Sequence, residues 1–231
     1  MSNYLDIIYD SKKIPISNVY PEKLVNYLVD RFSIKENQKL LEPGFGRGEF
    51  LSKFAEKKID CYGFDNSHYS KLDKINLNAK ITNVDILKEN FPYEDNFFDV
   101  IYSKSFIEHF YYPEKLFSEF YRVLKPGGKI ISLTPDWKTV YKMFYEDFTH
   151  RTPFTLESLR DIHAITGFKN TQSEQFLQLP ILWNKNKFLL FFSILTKYLV
   201  PNAKTPSGYF IKKFKWVRFI KEPMLLSYAE K

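Results

Sequence analysis

Glu42-Pro43-Gly44-Phe45-Gly46-Arg47-Gly48 sets glycines at alternate positions behind a carboxylate, between an apolar run and a segment of helical spacing. Glycines at such a junction allow a tight turn and close approach of backbone to ligand, and the helix that follows offers unpaired N–H groups. A dinucleotide fingerprint G-x-G-x-x-G would need glycine at position 49, which is Glu49. The carboxylate of Glu42 would repel a pyrophosphate set against the loop, whereas it would favour a ligand with a cationic amino group. Two more acids follow short apolar runs. Asp65, with Asn66 behind it, can accept hydrogen bonds from a ribose diol. Asp85 can accept from an adenine amino group, with the Ile86 backbone beside it.

The elements that must position these acids can be read from periodicity. Lys39–Leu41, Ile59–Phe64, Ala79–Asn83, Phe98–Ser103 and Lys129–Leu133 read as strands. Helical spacing runs over Arg47–Lys57 and over Pro113–Leu124, where proline suits a first turn. Pro126-Gly127-Gly128 predicts a turn, and Met224–Ala229 a closing strand. Ahead of the first strand, Leu24, Tyr27, Leu28 and Phe32 follow Pro21 in helical spacing, as a helix that packs on the domain or caps its site. Near Thr155 a further helix starts, where Thr-x-x-Ser lacks the acid of a full capping box and Thr caps alone. Strands separated by helices argue for βαβ units and a parallel sheet.

LLEPGFGRGEF, CYGFDNS, TNVDILKENFPYEDNFFDVIYSKSFIEHF and RVLKPGGKIISLTPDW, in this order over about residues 38–137, resemble the class I S-adenosylmethionine-dependent methyltransferases of the small methyltransferase-domain type. The resemblance implies a Rossmann-like α/β fold: a seven-stranded, mostly parallel sheet with helices on both faces, the last strand antiparallel, and a helical insertion before it. With the residue pattern and the charge distribution, one domain divides into an N-terminal helical cap (1–36), a cofactor-binding core (37–177), a basic aromatic insertion (178–222) and a closing strand (223–231). The resemblance further implies that Glu42 and the loop Gly44, Phe45, Gly46 and Gly48 hold the methionine end of S-adenosylmethionine. Asp65 and Asn66 would take the ribose, Asp85 and Ile86 the adenine, and Ser103 the edge of the cleft.

Methyl transfer from a sulfonium is an in-line displacement, so the protein mainly aligns the acceptor and excludes water, and needs a base only for a poor nucleophile such as a hydroxyl. Histidine, with a pKa near 6.5, suits that role. His109 follows Glu108 just after the fourth strand, and His150 lies in a T-H-x-x-P-F-T-like segment similar to one in methyltransferases of glycan and lipid biosynthesis. Both stand as candidate bases, and a structural role is open for each. His68 and His163 read as surface or packing residues. Glu108-His109 also resembles a pair in ubiquinone-pathway O-methyltransferases, where an upstream glutamate completes a metal site; Ser105 stands at that position here, so no metal is expected. Arg151 suits a phosphate or carboxylate on the acceptor, and Asp136 and Trp137 fall where such proteins line the acceptor pocket.

Composition narrows the setting. The chain has 231 residues, 44% of them apolar and 18% aromatic, which excludes disorder for its bulk. Cys61 stands alone, so neither an intramolecular disulfide nor a cysteine zinc site is available, and the acidic N-terminal stretch lacks the pattern of an export signal. A cytoplasmic location is expected. The net charge of +7 is local. Residues 178–231 hold ten basic residues against Glu222 and Glu230, a balance of +8, leaving −1 for residues 1–177. Mixed aromatics and lysines over 187–221 suit an anionic membrane surface; a solvated cap or a homodimer face is the alternative, and the near-neutral body argues against nucleic acid. The expected activity is O-methylation of a sugar or lipid-linked acceptor. A phenolic or prenylated quinone precursor is the second acceptor class, and a non-catalytic binding protein that keeps the cofactor fold is the reading from another class.

Overall fold

A computed structural model describes residues 19–66, 78–86, 89–183, 220 and 222–231. The first 18 residues of the expected cap, His68 and most of the basic insertion lie outside the described residues.

Seven strands form one sheet in the order β3-β2-β1-β4-β5-β7-β6. They are β1 (Lys39–Pro43), β2 (Asp60–Asp65), β3 (Lys80–Asn83), β4 (Phe98–Lys104), β5 (Leu124–Pro135), β6 (Lys169–Phe176) and β7 (Met224–Glu230). The β1–β2, β1–β4, β2–β3 and β4–β5 pairs are parallel, while β7 runs antiparallel to both β5 and β6 between them. The closing strand is thus antiparallel, as the resemblance implied, and sits inside the sheet rather than at its edge.

The central strands are apolar on both faces because helices cover both. Leu41, Ile101, Ile130 and Leu225 point into one core, with Phe117 and Phe120 of helix α3 (Pro113–Val123) and Leu159 and Ile162 of α5 (Leu156–Ile165). Their neighbours Leu40, Val100, Tyr102, Ile131 and Leu226 enter the other, with Leu24, Val25 and Leu28 of α1 (Val19–Phe32) and Leu51 and Phe54 of α2 (Glu49–Ala55). Successive residues part to opposite faces, the period of two that a strand imposes. Two four-residue helices, α4 (Trp137–Val140) and α6 (Pro180–Trp183), and the 3-10 turns Ile107–His109 and Phe144–Glu146 complete the described set.

Two local expectations change. Pro126–Gly128 is not a turn ahead of the fifth strand; β5 starts at Leu124 and absorbs these residues at an irregularity, where the register passes from Phe98↔Leu124 to Val100↔Lys129. The chain end explains this: Lys231 accepts from Gly127 N–H at 3.0 Å and donates its own N–H to Gly128 at 2.9 Å, which keeps the segment extended. At α5 the cap is reciprocal after all, since Ser158 Oγ accepts from the Thr155 N–H at 2.8 Å and Thr155 Oγ1 accepts from the Ser158 N–H at 3.2 Å. A serine hydroxyl replaces the expected acid.

Candidate active site

Parallel strands bring their carboxyl ends to one edge of the sheet, and that edge carries the acids. A cavity of about 570 Å3 opens there, walled by Glu42, Gly44, Phe45 and Gly46 at the end of β1 and just past it, Asp65 and Asn66 at the end of β2, Asp85 and Ile86 after β3, and Lys104, Ser105 and Phe106 at the end of β4 and just past it. Parallel pairing of Asp65 with Asn83, and a bond from the Val84 N–H to the Asp65 carbonyl at 3.2 Å, set the second and third acids side by side.

The glycine loop is held from several sides. Gly44 N–H donates to the Phe64 carbonyl at 2.8 Å, and Gly46 N–H to Asp65 Oδ2 at 2.9 Å. Gly44 and Gly46 have φ of 61° and 56°, in the left-handed region that side chains resist. A Cβ on Gly44 would meet Phe106 Cδ2 at 2.2 Å. Gly48 starts α2 as its N-cap, behind the cavity wall rather than on it. Arg47 and Glu49, both on the wall, pair at 2.7 Å.

Glu42 is 4% exposed, and its Oε2 is buried without a hydrogen-bond partner. Burial pushes its carboxyl well above the usual carboxylate range, against the opposing pull of Lys104. A buried carboxylate oxygen left unpaired is costly unless a cation or donor arrives.

Opposite the acids the wall is aromatic: Tyr20, Phe50, Phe106, Phe110 and Phe148, with His109 and Thr149 among them. Tyr20 and Pro21 belong to α1, so the N-terminal helix packs on the core and also reaches the cavity. His109 Nδ1 lies 3.0 Å from Thr149 Oγ1, which donates its single hydrogen to Asp147 Oδ1 at 2.5 Å. Because that hydrogen is committed, Nδ1 of His109 must be the donor, and Nε2 is left as a bare lone pair. Burial, then His150, lowers the His109 pKa. His150 stands behind it with ring centroids 5.0 Å apart; its Nδ1 donates to the Phe144 carbonyl at 2.6 Å, and its Nε2 faces Asp147 Oδ2 at 3.9 Å. His150 does not line the cavity.

Glu108 was legible only as half of a Glu-His pair, yet it is wholly buried: Oε2 accepts from Thr134 at 3.0 Å, and Oε1 has no partner. Burial raises its pKa to about 7. Glu108, His109 and His150 each place a ligand atom within 4.8 Å of the others, a set that could hold a metal ion.

Four other expected positions fall away from the cavity wall. Ser103 is 1% exposed, its Oγ sealed without a partner, because the pleat of β4 turns it into the interior; Lys104 and Ser105, past it, form the edge. Asp136 is buried as the N-cap of α4, accepting from the Lys138 N–H at 3.1 Å and Gln175 Nε2 at 2.5 Å, so both of its oxygens serve the fold. Trp137 packs on Phe144, Tyr141 and Tyr145. Arg151 turns back on the carbonyls of Phe148 and His150 and lies 5.1 Å over the Tyr111 ring. Lys104, Phe106, Phe110 and Thr149 were not anticipated; their positions just beyond strand ends or in the loop before α5 were the available signal. His163 is a packing residue, as expected, with Nδ1 donating to the Leu159 carbonyl.

Residues 41–132 match the methyltransferase domain family. Phosphoethanolamine N-methyltransferase 2 of Caenorhabditis elegans is 30% identical over 166 residues, 64% of this chain and 36% of that protein. The ubiquinone/menaquinone biosynthesis C-methyltransferase UbiE of Psychromonas ingrahamii is 26% identical over 156 residues, 62% of this chain and 60% of its own. The chain thus spans only about a third of the nematode enzyme's length. Among solved structures, a SAM-dependent methyltransferase from Archaeoglobus fulgidus superposes with a TM-score of 0.66 at 21% identity, over 99% of this chain and all of that one. With the strand order, the antiparallel β7 and the acid-lined edge already described, residues 41–132 carry a match to the methyltransferase domain, and the chain has the fold of the class I S-adenosylmethionine-dependent methyltransferases.

Proposed function

We propose that the protein transfers the methyl group of S-adenosylmethionine to a hydroxyl of a sugar or lipid-linked acceptor in glycan or lipid biosynthesis. The observation that carries the cofactor assignment is Glu42 Oε2, a buried and unpartnered carboxylate oxygen in a cavity that also presents Asp65 and Asp85. The donor set fits a cationic amino acid joined to a ribose and an adenine. Glu42 and the Gly44–Gly48 loop hold the amino acid end, Asp65 with Asn66 the ribose hydroxyls, and Asp85 with Ile86 the adenine. The cofactor supplies a methyl group already activated on sulfur.

What remains for the protein is alignment and a proton acceptor. Holding the two reactants together can supply about 7–11 kcal/mol of such a barrier. His109 Nε2 is the bare lone pair on the cavity wall, and it takes the acceptor's hydroxyl proton while Thr149 and Asp147 keep Nδ1 protonated. His150, behind it, orients the ring. The aromatic wall suits a sugar ring or lipid chain; Phe148 on it is 71% exposed, and Tyr111, Tyr112, Tyr141 and Tyr145 are exposed as well. They support docking at an anionic membrane surface together with the basic segment 187–221. No helix among the described residues is long and apolar enough to cross a membrane.

The similarity to UbiE favours a second reading, a phenolic or prenylated quinone precursor as acceptor. Calorimetric titration with S-adenosylhomocysteine is the first test, because absence of binding would overturn both enzymatic readings. Turnover on undecaprenyl-linked sugars against catechol-type quinone precursors then separates the acceptor classes. His109→Ala should lower kcat by roughly 10²–10⁴; full turnover in both His109→Ala and His150→Ala would end the base assignment. In flotation with anionic liposomes, failure of the whole protein to float would remove the membrane.

A further inference from the structure

The two imidazoles and the glutamate on the β4 side of the cavity form a donor set that the methyl-transfer reading uses only in part. We propose that Glu108, His109 and His150 bind one divalent transition metal of the zinc class. Four observations converge on this site.

First, both imidazoles are in the required tautomer. Thr149 and Asp147 fix Nδ1–H on His109, and the Phe144 carbonyl fixes it on His150, so Nε2 is the ring nitrogen each can offer a metal, that of His150 exchanging its 3.9 Å contact with Asp147 Oδ2 for the ion. Second, these partners are what metal-binding histidines ordinarily have on the far nitrogen, a carbonyl or a carboxylate-linked group that orients the ring. Third, Glu108 is 0% exposed and Oε1 has no hydrogen-bond partner, whereas Thr134 orients Oε2. A buried carboxylate with one oxygen unpartnered is costly unless a cation or donor reaches it. Fourth, the geometry is within reach. The three ligand atoms lie within 4.8 Å of one another. Tetrahedral zinc holds donors at about 2.0–2.2 Å and so roughly 3.3 Å apart, which asks each atom to move inward by at most about 0.9 Å.

Two nitrogens and one oxygen suit zinc, cobalt or iron and do not suit magnesium or calcium, which take oxygen. The donor set differs from a Glu-His pair completed by an upstream glutamate, since Ser105 holds that place; the third ligand comes from the loop before α5. His109 is the member on the cavity wall, so the remaining position opens toward the acceptor. Coordination occupies both Nε2 atoms, and the base role of His109 therefore belongs to the metal-free protein.

The experiment uses the whole chain without a polyhistidine tag, stripped by chelator and titrated with Zn2+ against a chromogenic chelator and with Co2+ by visible absorption. One ion per chain is expected, with an intense four-coordinate cobalt spectrum. Glu108→Gln, His109→Ala and His150→Ala should each weaken binding at least tenfold, Thr149→Val by about 10–100-fold, and His68→Ala not at all. The proposal fails if the wild type binds no more zinc than the His109→Ala/His150→Ala double variant, or if cobalt keeps the weak spectrum of its aquo ion. The cobalt spectrum of the wild type decides the matter even where a variant does not fold. Cofactor binding measured separately keeps this result distinct from the fate of the methyltransferase reading.

Discussion

Alanine at Gly44 should damage the protein by two separable routes, and alanine at Gly46 by only one of them. Both glycines sit at positive φ, 61° and 56°. An L-residue in that region costs about 1–2 kcal/mol. At Gly46 nothing closer than the Gly44 carbonyl at 4.0 Å awaits the new methyl, so backbone strain is the whole penalty there. At Gly44 the methyl would sit 2.2 Å from Phe106 Cδ2 and 2.6 Å from Cε2, inside van der Waals contact with a ring that is packed against the core and walls the cavity. Overpacking of that kind costs about 1–3 kcal/mol. Gly44→Ala should therefore lose about 2–5 kcal/mol and Gly46→Ala about 1–2 kcal/mol in urea unfolding at 25 °C. A double-mutant cycle of Gly44→Ala with Phe106→Ala isolates the clash as a favourable coupling of about 1–3 kcal/mol. Because Phe106 has to leave its place on the wall, Gly44→Ala should also weaken S-adenosylhomocysteine binding more than Gly46→Ala. Equal losses in the two single variants, with zero coupling in the cycle, would refute the contact as the reason for glycine at position 44.

Three further outcomes follow from burial and capping. Glu42 holds its proton above the usual carboxylate range in the ligand-free site, and a cationic amino group favours its ionised form. Cofactor binding should thus release a proton wherever the ligand-free carboxyl is still protonated, seen as a dependence of the calorimetric heat on buffer ionisation enthalpy, with affinity rising as pH rises through that range. Glu42→Gln should abolish the release and weaken binding by roughly 10–150-fold; identical heats in all buffers would contradict the assignment. His163, wholly buried between Phe117 and Phe168, has its pKa lowered by burial to about 4. The unfolded chain, near 6.5, binds the proton first, so stability is complete above about pH 6.5 and falls as pH drops toward 4, by about 3 kcal/mol in all. His163→Leu should flatten that slope in urea unfolding between pH 7 and 4.5. Thr155→Ala should cost about 1 kcal/mol by thermal unfolding, and Ser158→Ala should cost a measurable part of it because its hydroxyl closes the cap in return.

Glu42, the glycine loop, Asp65 and Asp85 were legible in the sequence because each is tied to its own strand end by a few residues of chain. Once parallel strands are inferred, their carboxyl ends must share an edge, and the acids travel with them. The alternation of Leu40 with Leu41 and of Ile130 with Ile131 likewise follows from a two-residue period that any strand enforces. Ser103 escaped that logic by one residue, for a side chain one place short of the strand end belongs to the interior and its neighbour to the cavity.

The sequence by itself therefore determined the fold class and the acid-lined edge, both consequences of local periodicity and local spacing. Only the tertiary structure decided which residues from separate loops meet. His109 and His150 are joined by the return of the loop after α4, where Arg151 and Thr152 donate their N–H groups to the Glu108 carbonyl at 2.8 and 3.1 Å. That closure aligns two imidazoles with a buried carboxylate, diverts Asp136 to capping α4 and turns Arg151 back on its own loop. No period in the chain encodes it, because such a loop takes its path from Phe154, packed in the core with residues distant in sequence, and from the bonds to the Glu108 carbonyl.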